Sequence, residues 1–145
     1  MTRRFLIPAA AICAALLASA SLAFAQDVFA PTNVAPSSGK SLPRGVPFTF
    51  KVHLDPNSAG SGVFLNVSKS KKVKDDGTLA NSIYFRSMKQ GSNGQWTKKV
   101  ERYAALTSHF LNRKGTYYWQ AYVIDCSEGT DDCNVEGPIG KFKIK

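Results

Sequence analysis

From residue 26 onward the sequence predicts an all-β domain, an antiparallel sandwich of about seven short strands, and three observations predict it. Apolar and polar residues alternate with a period of two through most of the chain. Gly, Pro, Asn and Asp clusters separate the alternating runs at intervals of a strand length. Beyond the first 25 residues no window carries the three-to-four-residue apolar stripe of a helix.

The chain opens with a segment of different character. Met1-Thr2-Arg3-Arg4 is a short cationic head, Phe5 to Leu22 is an uncharged, Ala-rich apolar run, and Ala23-Phe24-Ala25 is the small-x-small triplet that signal peptidase reads. Residues 1–25 are therefore expected to be a cleavable secretory signal, with Gln26 as the first mature residue. A retained transmembrane helix is the competing expectation, weakened by Pro8, by the modest hydropathy of alanine and by the cleavage triplet. Arg3-Arg4 stands one residue out of place for a twin-arginine signal, and Ala11-Ile12 before Cys13 makes a poor lipobox. Residues 26–145 form a length suited to one domain, with a core spanning about 31–145. No transmembrane segment is expected after cleavage, and the protein is expected to be secreted or associated with the cell envelope.

The elements follow in order. Phe48, Phe50, Val52 and Leu54 alternate with Thr49, Lys51 and His53, and the loop Asp55 to Gly62 turns the chain back. Val63, Leu65 and Val67 form the next inward set, ending at the basic run Lys69-Ser70-Lys71-Lys72. Asp75-Asp76-Gly77 is a turn, Ile83 to Met88 a strand, and Gln90 to Gln95 a loop. Trp96 to Val100 and Tyr103 to Phe110 supply one or two more strands. Thr116 to Asp125, rich in aromatic and β-branched residues, is the strongest strand, and Gly140 to Lys145 closes with Phe142 and Ile144 inward and Lys141, Lys143 and Lys145 outward.

Leu111-Asn112-Arg113-Lys114-Gly115-Thr116-Tyr117-Tyr118-Trp119-Gln120-Ala121-Tyr122 resembles the passage from the fifth into the sixth strand of fibronectin type III domains, a branch of the immunoglobulin-like sandwiches. Leu111 stands six residues before Tyr117, the spacing of that family's tyrosine corner. Ala35-Pro36-Ser37-Ser38-Gly39 and Gly137-Pro138-Ile139-Gly140-Lys141-Phe142-Lys143-Ile144 resemble the first and last strands of bacterial members. The resemblance implies a core of Phe50, Leu111, Tyr117 and Trp119, with Phe50 where many members place a tryptophan. The stretch from Lys69 to Thr107 has no counterpart in it, so strand pairing there stays open. Fold travels with such a resemblance, and function does not.

Removing Arg3 and Arg4 with the signal leaves 17 basic against 10 acidic side chains, a net of +7. That balance favours anionic partners such as cell-envelope polymers, acidic glycans or lipid head groups, or serves solubility alone. Nucleic acid is not expected as a partner of an exported chain. Cys126 and Cys133, the pair left after cleavage, are expected to form one disulfide that staples a local loop.

Catalysis finds little support: His53 and His109 are the only histidines, and neither stands in a nucleophile or metal motif. No cofactor is implied. Asp125, Glu128, Asp131, Asp132 and Glu136 crowd one stretch, but their order matches no calcium loop, and a solvated acidic turn is expected. Asn66-Val67-Ser68 has the form of a glycosylation triplet within a strand and is expected to be coincidence.

The reading is an exported, non-catalytic binding or adhesion module; the alternatives are a secreted inhibitor or effector acting through loop 126–133, and an enzyme. If Tyr117, Trp119, Ala121 and Val123 point inward, alternation sends Tyr118, Gln120, Tyr122 and Ile124 outward. In the resembled fold this strand lies between the third and the last, so the resemblance implies that the third strand adds Phe64 and Asn66 to that face and the last adds Lys141 and Lys143. These residues form the candidate binding platform, suited to an acidic glycan or to a protein contact.

Overall fold

The computed structural model describes residues 28–58, 62–101, 112–124 and 134–145. Ten strands run in the order β1 (Thr32–Ala35), β2 (Lys40–Leu42), β3 (Phe48–His53), β4 (Val63–Ser68), β5 (Ser82–Ser87), β6 (Lys89–Gln90), β7 (Gln95–Val100), β8 (Gly115–Ile124), β9 (Asn134–Glu136) and β10 (Gly140–Ile144). Among the described residues no helix is long and apolar enough to cross a membrane. The expected strand at 103–110, Leu111, the cysteine pair and residues 1–27 lie outside the described residues.

The strands form two sheets. One has the order β1-β3-β7-β6; the other runs β2-β10-β8-β4-β5, with β9 also paired to β8. Lettered in the immunoglobulin manner, the sheets read A-B-E-D and A′-G-F-C-C′, the seven-strand plan widened by one strand beyond C. The fold is an immunoglobulin-like, fibronectin type III-like sandwich. All pairings are antiparallel except β2 with β10. β9 and β10 are two pieces of one strand beside β8, interrupted at Gly137-Pro138-Ile139, and the Gly137 N–H keeps the ladder to the Ala121 carbonyl at 2.8 Å.

The core follows from the alternation. Phe50 and Val52 of β3, Val63, Leu65 and Val67 of β4, Tyr117, Trp119, Ala121 and Val123 of β8, and Phe142 and Ile144 of β10 form one buried cluster with Tyr84, Met88 and Val100. Aromatic rings fill its centre. Phe50 lies 5.0 Å from Trp119 and 5.7 Å from Phe142 between ring centroids, and Tyr117 stacks on Phe142 at 5.5 Å. Phe50 thus packs directly on Trp119 from the opposite sheet.

Tyr117 carries the hydrogen bond of a tyrosine corner. Its hydroxyl donates to the Arg113 carbonyl, four residues upstream, at 2.7 Å. Burial pushes its phenol above the usual tyrosine range, against a smaller opposing effect of Arg113. This bond ties the chain entering β8 to the sheet and fixes which face of the strand looks inward.

Candidate functional site

The face of the six-stranded sheet that looks away from the core is built row by row from the register. Phe64 of β4 stands opposite Tyr122 of β8 and Ser87 of β5. Asn66 stands opposite Gln120 and Phe85. Ser68 stands opposite Tyr118, and Tyr118 opposite Lys141. Thr116 faces Lys143. The alternation expected for β8 is therefore present.

The expected open platform is not. Residues 69–81 fold back over its middle, held by a bridge between Val73 and Leu79. Leu79 is fully buried, and beneath it Asn66 and Gln120 are only 3% exposed. Both amides bond to the covering segment: Asn66 Nδ2 donates to the Leu79 carbonyl at 2.9 Å, and Gln120 Oε1 accepts from the Leu79 N–H at 3.0 Å. Gln120 Nε2 reaches the carbonyls of Gly77 and Gly137 at 3.3 and 3.2 Å. Asn66 and Gln120 thus fasten a cover rather than meet a ligand. The physical reason is satisfaction of buried main-chain groups: an irregular segment laid on a sheet needs partners for its N–H and C=O groups, and side-chain amides supply both kinds. The same burial takes Asn66 and Ser68 of the Asn-Val-Ser triplet out of reach of a glycosylating enzyme.

The cover divides the platform in two. At one end Tyr118 is half-buried beside exposed Lys141 and Lys143, a basic corner. At the other end three rings from β5, β4 and β8 cluster in a triangle, with Phe85 and Tyr122 themselves 6.1 Å apart. Phe85 stacks on Phe64 with centroids 5.8 Å apart and planes 3° apart, and Phe64 stacks on Tyr122 at 5.9 Å. The two ends lie four residues apart along β8, roughly 13 Å at the rise of a strand. Phe85, which the alternation alone did not single out, is the most open of the three at 42% exposure, whereas Tyr122 keeps 7%. Its signal was present in the sequence as an apolar residue on the outward side of the strand from Ile83 to Met88, but its place depended on the pairing of β5, which the sequence left open.

The tip of the covering segment explains the gradient. Asp76 is held below the usual carboxylate range chiefly by the Thr78 hydroxyl, which donates to Oδ1 at 2.6 Å, and by the Thr78 N–H at 2.9 Å. This turn lies against Tyr122, whose phenol is pushed up to about 12 by burial first and by the Asp76 charge second. Unfolded tyrosine ionises near 10. Between those values the unfolded chain loses a proton that the folded chain keeps, so stability falls across that window. An ultraviolet phenolate titration should show Tyr122 among the late-ionising tyrosines, and Asp76→Asn should bring its transition to lower pH. An unmoved transition would separate Asp76 from Tyr122.

His53 is exposed on the outer face of the other sheet, opposite Gln95 and Thr32. The shallow cleft around it is lined by Val34, Val52, Ser92, Asn93 and Gln95, and among the described residues no carboxylate lines it to orient the imidazole. His109 and Asp125, Glu128, Asp131 and Asp132 of the acidic stretch lie outside the described residues. Among the described residues no three His, Cys, Asp or Glu side chains come together.

No family model matches the chain, and no curated protein sequence does. Among solved structures it is similar to the fibronectin(III)-like modules of CbhA from Clostridium thermocellum, at 15% identity over 79% of this chain and 94% of that one, with a TM-score of 0.45. It is also similar to a chain in the complex of Dpr1 IG1 with DIP-eta IG1, at 12% identity over 81% and 97%, with a TM-score of 0.36. The M1 domain of titin follows at 10% identity over 79% and 88%, with a TM-score of 0.32. It is the strand order and register, not these likenesses, that make the sandwich immunoglobulin-like.

Proposed function

We propose that this immunoglobulin-like sandwich is an exported, non-catalytic binding module whose partner is a protein, engaged through the aromatic end of the six-stranded sheet. The observation that carries the reading is the ring cluster of Tyr122, Phe64 and Phe85, sheltered at Tyr122 and open at Phe85 on the outermost strand. A glycan platform needs ring faces free for stacking on a sugar. Here the three rings pack on one another at 5.8, 5.9 and 6.1 Å and Tyr122 keeps only 7% exposure, so Phe85 is the one ring left exposed to a sugar. A compact aromatic cluster beside the polar Ser87 of β5, which stands opposite Phe64, suits the apolar centre and polar rim of a protein contact. Export is supported by the composition of residues 1–25, and the absence, among the described residues, of a carboxylate beside His53 supports a non-catalytic role.

The test is retention of cell-envelope and secreted material on the immobilised chain. Protein should be retained, and Phe85→Asp should reduce that retention at least tenfold, while Lys51→Ser on the opposite sheet leaves it unchanged. Retention of polysaccharide without protein, or full retention by Phe85→Asp, would remove the aromatic cluster as the contact.

A further inference from the structure

The edge of the same sheet carries a more specific reading, which rests on the protein-binding function above. β5 is the last strand of its sheet: β4 pairs with it on one side, and no described strand pairs with it on the other. The Met88 N–H donates to the Val63 carbonyl at 2.8 Å, and Arg86 stands opposite Leu65. Main-chain groups of successive residues point to opposite sides of a strand, so those of Arg86 and Met88 face β4, and those of Phe85 and Ser87 face away from the sheet. Arg86 confirms the direction independently, since its Nη1 donates to the Phe85 carbonyl at 2.6 Å.

Ser82–Ser87 is a six-residue edge without proline or glycine. Proteins blunt such edges with prolines, bulges or charges. A single cation, Arg86, guards the centre of this one, and the ladder irregularity falls only near its start, at Val67 and Ser68. The surrounding charge is predominantly positive, although Asp76 and Glu101 flank it and Lys99 is paired with Glu101 at 2.8 Å. From Gly77 to Val100 the sequence holds Arg86, Lys89, Lys98 and Lys99 and no carboxylate. Lys71 and Lys72 lie near the start of β5, where the Lys72 carbonyl accepts the Ala80 N–H. A second copy would set a like array of cations against this one, whereas an acidic strand is attracted to it.

We propose that the free edge of β5 takes an extended, acidic segment of the partner protein as an added strand. Arg86 leaves the Phe85 carbonyl it caps for the incoming carboxylates, main-chain hydrogen bonds form to Phe85 and Ser87, and apolar side chains on one face of the added strand extend the cluster of Tyr122, Phe64 and Phe85. Its carboxylates meet Arg86 and the flanking lysines. This mode draws affinity from the backbone and specificity from alternate side chains.

Three labelled ten-residue peptides test the proposal by fluorescence anisotropy with the purified chain at physiological ionic strength: alternating valine and glutamate, alternating valine and lysine, and the glutamate peptide N-methylated at every residue. The glutamate peptide is expected to bind at least tenfold more tightly than the other two. Arg86→Glu should weaken it at least tenfold, and Arg86→Lys should retain most of the binding. Equal binding by the N-methylated peptide would reduce the interaction to charge adsorption and overturn strand addition, as would no binding by the glutamate peptide. Sedimentation showing a dimer that Arg86→Glu dissolves would assign the edge to a second copy instead. If strand addition fails while Phe85→Asp still releases the retained protein, the edge proposal falls and the aromatic-cluster reading stands; loss of both ends both.

Discussion

Gly140→Ala is expected to destabilise the fold by about 3 kcal/mol, the upper part of the range for overpacking a rigid core. Gly140 stands opposite Trp119 in the ladder between β10 and β8, and the indole lies across the place a side chain would occupy. A Cβ there would collide with Trp119 Nε1 and come within 2.7 Å of Cε2. The indole has nowhere to go: it is fully buried and packed on Phe50 from the opposite sheet. Urea denaturation should show a lower midpoint with an unchanged slope. The near-ultraviolet circular dichroism of the tryptophan should also change. Lys141→Ala, one residue along and exposed, should stay within about 0.5 kcal/mol of the parent. A Gly140→Ala variant of parental stability would mean that the indole does not lie over β10.

Gln120→Leu is expected to cost about 3 kcal/mol, with the loss concentrated in residues 69–81. The substitution keeps the bulk of the side chain but strips partners from the Leu79 N–H and from the Gly77 and Gly137 carbonyls. Leaving buried main-chain groups unpaired costs roughly 1–3 kcal/mol each, partly recovered where the segment lifts and water reaches them. Hydrogen exchange should therefore speed up at Leu79 far more than at Val67 or Trp119, because the cover opens without the core. Tyr122 should become more exposed, and its phenol should ionise at lower pH. Uniform acceleration across the sheet would show that the cover and the core unfold as one unit.

The two variants divide along the line between what local pattern encodes and what assembly decides. Alternation along β3, β4 and β10 was enough to place Phe50, Val52, Leu65, Phe142 and Ile144 in the interior, because a strand turns successive side chains to opposite faces and only one face of each is apolar enough to fill a core, whereas along β8, aromatic on both faces, the tyrosine-corner resemblance pointed to Tyr117 and Trp119. The turn at Asp75-Asp76-Gly77 and the segment leading into Tyr117 were legible for the same reason: their geometry is set by residues adjacent in sequence.

The state of the outer face was decided elsewhere. Phe64, Asn66, Gln120 and Tyr122 all lie on it as alternation requires, yet two are sealed, one is sheltered and one is half-open. Which of these fates befalls a residue depends on where residues 69–81 lie, and nothing in the period of β4 or β8 records the path of a segment that pairs with neither strand. The sealing itself is written in side-chain chemistry, in two amides whose hydrogen bonds reach 13 and 41 residues along the chain to Leu79. The prominence of Phe85 likewise required β5 to pair with β4 in one register, which brings its ring onto Phe64. Local alternation, with the tyrosine-corner spacing to choose the face of β8, determined the inward set and the sandwich. Only the tertiary structure decided which outward residues meet solvent, because exposure depends on what else in the chain comes to rest above a residue.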